Sequence, residues 1–302
     1  MTILVGTASW TDKPLIACGR FYPKGAGTAE ARLRYYASQF PIVEVDSSYY
    51  AMPSPATTQL WAERTPEGFV MNVKAFRLFT GHQTSPAVMH RDIQAALGER
   101  GGKNLYYKDT PEEIRDELWR RFHEALAPLK NSGRLGLEHF QFPPWLLRNR
   151  EGQDHVRHCV EHMAGHTVSV EFRNKTWFEG EHRDNTLALE RELSAVHTVV
   201  DGPQGFSNSV PAIWELTHPR YALVRLHGRN AATWNVKGAT AASDRFNYDY
   251  SDAELAELAR AIRKMLPPLL QTHVIFNNNM EDQGQRNART LMTMCDLADA
   301  GA

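Results

Sequence analysis

The chain has 302 residues, 42% of them hydrophobic and 23% charged, and 34 Lys+Arg against 35 Asp+Glu leave a net charge of −1. This is ordinary globular composition, with enough apolar material for a core, and it excludes disorder. The charge balance excludes holding nucleic acid or an anionic membrane by bulk charge, although a local basic groove remains allowed.

The first β-rich run is 3–7 (ILVGT), and the second, 42–46 (IVEVD), precedes Ser54-Pro55, a cap followed by proline at the first helical position. A third run, 69–74 (FVMNVK), leads into an excursion over 80–110 that is longer than a simple barrel loop requires. It ends on Thr110-Pro111-Glu112-Glu113, which joins that cap arrangement to a capping box, and Ile114, Leu118, Phe122, Ala125 and Leu129 then recur at helical spacing. Further runs at 134–141, 167–172, 197–201, 221–227 and 272–277 bring the strands to eight. Residues 202–220 contain three prolines and little helical pattern, so the helix between strands six and seven is expected to be missing or reduced. Ser251-Asp252-Ala253-Glu254 is another capping box, followed by Leu255, Leu258, Ile262 and Leu266.

This alternation is that of a parallel α/β fold. Eight units in one chain of this length predict a TIM-like (β/α)8 barrel, read as a single domain over 1–302 with 80–110 inserted in it. A doubly wound open sheet is disfavoured because neither G-x-G-x-x-G nor a P-loop follows the first strand. No apolar run reaches the ~20 residues that span a bilayer, and the N-terminal segment lacks a signal-peptide pattern. Cys18, Cys159 and Cys295 are odd in number and far apart, so neither a disulfide framework nor a Cys–zinc site is implied. A cytoplasmic protein without a membrane partner is expected.

Successive strand side chains point to opposite faces, so the faces can be read directly. Glu44 and Asp46 oppose Val43 and Val45; Asn72 and Lys74 oppose Met71 and Val73; Ser169, Glu171 and Arg173 oppose Val168, Val170 and Phe172. Arg225 and His227 oppose Val224 and Leu226, while Gln141, Asp201 and Asn277 end strands four, six and eight. In a parallel barrel such polar ends converge on one mouth, where active sites lie. The alternative is a structural ion-pair network plugging the barrel.

These residues belong to an ordered set: Gly6-Thr7-Ala8-Ser9-Trp10 with Phe21-Tyr22-Pro23, Tyr35-Tyr36, Glu44 through Tyr50, Trp61 with Thr65-Pro66, and Phe69 to Lys74. It continues with Gln141-Phe142-Pro143-Pro144, Glu171-Phe172-Arg173 with Trp177, Asp201, Arg225-Leu226-His227-Gly228, Phe276-Asn277-Asn278 and Asn287-Ala288. In this order they resemble the YecE-like family, domain of unknown function family 72, almost end to end. The resemblance implies a TIM barrel and a site, but no reaction. Two positions depart from the family's pattern: Ser9, where Gly is frequent, and Asp46, where Asn is frequent.

His155, His158, His162 and His166 resemble a metal stripe, but they lie beside the Val156/Cys159/Val160/Met163 stripe and read as the solvated flank of a helix. Gly202-Pro203 and Gly228 read as turns near the mouth. The functional expectation is a hydrolase or lyase, without a redox cofactor, acting on a small polar or anionic ring-containing substrate carrying phosphate or carboxylate. Glu44 and Glu171 are the general acid/base candidates, with Asp201 in support and His227 as a proton shuttle. Lys74, Arg173 and Arg225 would hold the anion, and Asn277, Gln141, Trp10, Tyr50 and Trp177 complete the substrate contacts. Truncating Arg225 should then leave the unliganded fold intact. One alternative is metal-dependent phosphodiester cleavage of nucleic acid, of endonuclease-IV-like type, with Glu44, Asp46, Glu171, Asp201 and His227 as ligands. The other is a non-catalytic binder of a metabolite or nucleic acid; nucleic acid is the less favoured partner. The excursion over 80–110 is expected over or beside the mouth as a partial lid.

Overall fold

A computed structural model describes residues 2–98, 103–234, 245–265 and 271–299. Eight strands, β1 (Thr2–Ala8), β2 (Ile42–Val45), β3 (Val70–Lys74), β4 (Leu135–Gln141), β5 (Val168–Glu171), β6 (Val196–Asp201), β7 (Tyr221–Leu226) and β8 (Gln271–Phe276), close a barrel in chain order. Every neighbouring pair is parallel, and β8 closes onto β1 with Leu4 opposite His273 and Gly6 opposite Ile275. The helices are α1 (Lys13–Cys18), α2 (Ala29–Gln39), α3 (Ser47–Tyr50), α4 (Pro55–Glu63), α5 (Arg91–Leu97), α6 (Glu112–Asn131), α7 (Arg150–His162), α8 (His182–Glu192), α9 (Asp252–Met265) and α10 (Gln283–Asp299). Residues 202–220 contain no helix, as their prolines predict.

Two apolar clusters divide along the strand faces. Val43, Val45, Met71, Val73, Val168, Val170, Val224 and Val274 join the cluster that meets the helices. Ile42, Leu137, Val196, Leu223, Ile275 and Ala8, on the opposite face, form a smaller cluster filling the barrel lumen. The helical stripe Ile114, Leu118, Phe122, Ala125 and Leu129 is buried, as are Leu255, Leu258 and Ile262; Leu266 lies outside the described residues.

The Ser54 hydroxyl accepts from the Thr57 amide ahead of α4, and Ser251 and Glu254 form their capping box through Ser251 N to Glu254 Oε2 at 2.9 Å. Thr110 departs from expectation. Helix α6 starts at Glu112 with no side-chain cap, and the Thr110 hydroxyl donates instead to the Tyr106 carbonyl at 3.0 Å.

The described part of the 80–110 excursion docks on the flank of the barrel. It is pinned by a Thr84–Leu105 bridge, by burial of Met89, Ile93, Leu97 and Tyr107, and by an ion pair between Asp92 and Arg121 of α6. Among its described residues His82 reaches the mouth, against Tyr49, while Met89, Ile93, Leu97 and Tyr107 pack on the flank; residues 99–102 lie outside the described set. Tyr107 of the excursion, Trp119 of α6 and Glu138 of β4 contact the histidine stripe expected in solvent. His158 Nε2 meets the Tyr107 hydroxyl at 2.6 Å, His162 stacks on Trp119, and His166 contacts Glu138 at 2.9 Å. Among the described residues no group of three or more His, Cys, Asp or Glu is arranged to hold a metal, no helix is long and apolar enough to cross a membrane, and Cys18 and Cys159 are free thiols.

Candidate functional site

The lumen-facing side chains near the C-terminal strand ends form a stack of charges. Deepest is Arg225, which is fully buried. It donates through Nε and Nη2 to both oxygens of Glu44 at 3.0 and 2.5 Å, and through Nη1 to Glu171 Oε2 at 2.6 Å. Both carboxylates are themselves fully buried. Burial pushes the Glu171 carboxyl up, but Arg225 and the neighbouring histidines overcome it and hold the acid well below the usual range. Glu171 Oε1 accepts from Gln141 at 2.6 Å and Arg173 at 2.8 Å.

This arrangement corrects three expectations. Glu44 and Glu171 spend their oxygens on internal donors and do not face the mouth as a free acid and base. Arg225 pairs with both and, fully buried, presents no exposed edge to a substrate anion. The deep layer has the geometry of a buried ion-pair network. His227 is corrected too: burial, opposed only in part by Glu171, lowers it to about 3, so it is a neutral partner of Arg173 (3.1 Å) and Asn277 (2.9 Å) and not a shuttle near neutrality.

Asp201 lies elsewhere. It shares the helix-facing side of β6 with His197 and Val199, accepts from Arg229 at 2.9–3.1 Å and receives the Tyr250 hydroxyl at 2.6 Å. Arg229 also reaches Glu254, so Asp201 fastens the segment after β7 to α9. Gly228, with φ of 84°, belongs to that segment: a Cβ there would stand 2.4 Å from Tyr248. With Glu44 and Glu171 consumed by Arg225 and Asp201 turned away, the set Glu44, Asp46, Glu171, Asp201 and His227 is not assembled around a common centre. Trp10 and Trp177 are buried packing residues. Trp10 meets Trp61 edge-on at 5.8 Å, while Trp177 stacks on Phe172 at 3.9 Å and donates to the Leu146 carbonyl.

Nearer solvent the arrangement changes character. Lys74 ends β3, bridges Gln141 Oε1 at 3.2 Å and Asp46 Oδ1 at 3.1 Å, and stands 4.7 Å over the Tyr49 ring. Arg77 stands over the same ring at 5.3 Å, and Arg173 over Trp234 at 5.1 Å. His82 contacts both Tyr49 and Trp145, and burial together with Arg77, Lys74 and Arg173 lowers it to about 3. Tyr50 and Trp145 are 54% and 55% exposed, which makes them open aromatic walls.

Asp12 follows β1 and occupies the N-cap position of α1, yet its side chain caps nothing. It is hydrogen-bonded instead to Ser9 and Asn279, and burial, reinforced by the charge of Asp46, raises it to about 7. Asp46 goes the other way: burial pushes it up, but Lys74 and Arg225 outweigh that and hold it below the usual range. Two neighbouring carboxyls are thus driven apart. Ser9 and Asp46 both act on Asp12. Ser9 takes the left-handed backbone, φ 65°, that glycine adopts more freely.

Asp12, Arg77, His82 and Arg229 escaped the sequence reading. Asp12 in Thr-Asp-Lys-Pro has the signature of an ordinary helix cap, and the other three lie beyond strand ends, where alternation no longer assigns a face.

The model of the family described as a protein of unknown function, DUF72, matches residues 4–302. The chain belongs to the DUF72 family. UPF0759 protein YunF of Bacillus subtilis (strain 168) is 30% identical over 99% of this chain and 96% of that one. A DUF72 family protein from Enterococcus faecalis V583 superposes with a TM-score of 0.79 at 26% identity, covering 98% of this chain and 96% of that one. Another, from Thermotoga maritima MSB8, gives 0.75 at 25% identity over 98% and 100% of the two chains. These DUF72 relatives share the barrel.

Proposed function

We propose that this DUF72 protein is an acid–base enzyme, of hydrolase or lyase type, acting on a small anionic, ring-containing molecule at the C-terminal mouth of its barrel. What carries the reading is the placement of Asp12 and Asp46 as neighbouring carboxyls in opposite surroundings, Asp12 buried against Ser9 and Asn279 and Asp46 paired with Lys74 at 3.1 Å: such a pair suits an acid and a base. Asp12, near neutrality, is placed to give or take a proton, and Asp46 stays ionised against Lys74. Arg77 is the anion anchor, joined by the edge of Arg173 left by Glu171 and His227, while Tyr50 and Trp145 flank a ring. Glu44, Glu171, Arg225 and Asn277 hold this layer rigid from below, as positioning residues.

The test is to incubate wild-type and Asp12→Asn protein with a cell metabolite extract and compare the products by mass spectrometry. A metabolite consumed by wild type alone, with a rate limb near pH 7, supports the reading. If wild type and variant retain the same metabolite unchanged, the protein is a binder and the catalytic reading falls. If a divalent metal is needed for turnover and Asp12 is not, the phosphodiesterase alternative takes its place.

A further inference from the structure

A cavity of about 810 Å³ opens on the flank of the barrel between the excursion, α7 and the segment after β4. That volume falls within the range of small-molecule sites. It lies beside the mouth, with Trp145 as part of its wall, but none of the mouth's charged groups lines it. Its walls are apolar: Trp145, Leu147 and Tyr106 are three of the seven large hydrophobic side chains left exposed on the described surface, and all three converge here.

The polar side carries hydrogen-bonding groups and charges of both signs. Arg115 lines the cavity with its guanidinium 5.1 Å over the Tyr107 ring, and it has no carboxylate partner among the described residues. The Tyr107 hydroxyl accepts from Trp119 Nε1 at 2.8 Å and is hydrogen-bonded to His158 Nε2 at 2.6 Å. Burial, together with His162 and Arg115, favours the neutral imidazole. Lys108 adds a second cation, while Glu151 and Asp154 line the α7 side and disfavour a second negative charge on any occupant.

We infer that this flank cavity is a second binding site, beside the mouth and sharing the Trp145 wall with it, for a planar aromatic monoacid. Its ring lies among Tyr106, Trp145 and Leu147, and its carboxylate on Arg115. Arg is suited to this task because its fork matches a carboxylate and its plane is already ordered by stacking on Tyr107.

The probe is 2-naphthoate, titrated by calorimetry into the full chain, with 2-naphthylmethanol as the uncharged counterpart. Naphthoate is expected to bind at millimolar concentration or below, and the alcohol at least about tenfold more weakly, the order of one lost charge-assisted contact. Arg115→Gln should weaken naphthoate by about tenfold or more and leave the alcohol unaffected. Leu147→Asp, at an exposed wall position that leaves folding intact, should weaken both. Arg77→Gln at the mouth should leave naphthoate binding as it was. The inference is overturned if naphthoate does not bind, if Arg115→Gln and Leu147→Asp both leave its affinity unchanged, or if Arg77→Gln abolishes it, which would place the ring acid in the mouth.

Discussion

Replacing Arg225 with leucine removes three hydrogen bonds from two fully buried carboxylates, at 2.5 and 3.0 Å from Glu44 and 2.6 Å from Glu171. Glu171 keeps Gln141 and Arg173, but Glu44 keeps no other side-chain donor among the described residues. The cost therefore concentrates at Glu44, a charge stranded in the barrel. Breaking a buried pair from one side costs about 3–5 kcal/mol, and for a chain of this size that lowers Tm by on the order of 5–15 °C. The pH dependence has a definite sign. Glu171 is held below its ordinary range in the native state, so it contributes stability above that range which is lost as pH falls through its native value. Without Arg225 that contribution shrinks, and the gap between wild type and Arg225→Leu should narrow as pH drops through the ordinary carboxylate range, around 4.3. Urea unfolding at neutral and at mildly acidic pH measures both effects. A loss below about 1 kcal/mol at neutral pH, the size expected for a surface pair, or a loss that does not change with pH, would refute the network.

Trp177→Ala should cost about 3–5 kcal/mol in urea unfolding because it empties a fully buried stack on Phe172. Tyr50→Ala, at an exposed wall, should change stability by less than about 0.5 kcal/mol while weakening whatever the mouth binds, as read by thermal shift with an identified ligand. Gly136→Ala would place a Cβ 2.4 Å from Asn72 Oδ1, the acceptor for Leu137 N and His273 Nδ1, and should cost about 1–3 kcal/mol by the same assay. Because Asp12 is raised above its unfolded value, its contribution is present below about pH 4 and lost as pH rises through about 7. Asp12→Asn should therefore gain stability relative to wild type across that interval, and equal pH dependence of the two Tm values would contradict the shift.

The barrel was legible because strands such as β2, β3, β5 and β7 pair one polar face with one apolar face. Glu44, Lys74, Glu171 and Arg225 could be placed on one side by alternation alone, and the structure keeps them there. Their role was not legible. The same alternation fits an open anion site or a closed ion-pair plug, and only the distances from Arg225 to Glu44 and Glu171 decide between them. Asp201 misled because the run before it, His-Thr-Val-Val, is apolar or ambiguous at every position, so a strand-end acid could be assigned to either face. Trp10 and Trp177 follow strand ends as predicted, but the loops that carry them turn inward, which depends on partners, Trp61 and Phe172, distant or indistinct in sequence. The histidine stripe was correctly set off the core stripe of α7, yet local periodicity cannot show that Tyr107 and Trp119 contact it.

A pH titration of the aspartate carboxyl carbons by ¹³C NMR, with Asp12→Asn to assign the resonance, reads the protonation of Asp12 itself. One carboxyl should titrate near 7, vanish in Asp12→Asn and move to lower pH in Asp46→Asn, since the Asp46 charge contributes to the rise. An Asp12 resonance titrating around 4, or one unmoved by Asp46→Asn, would contradict it.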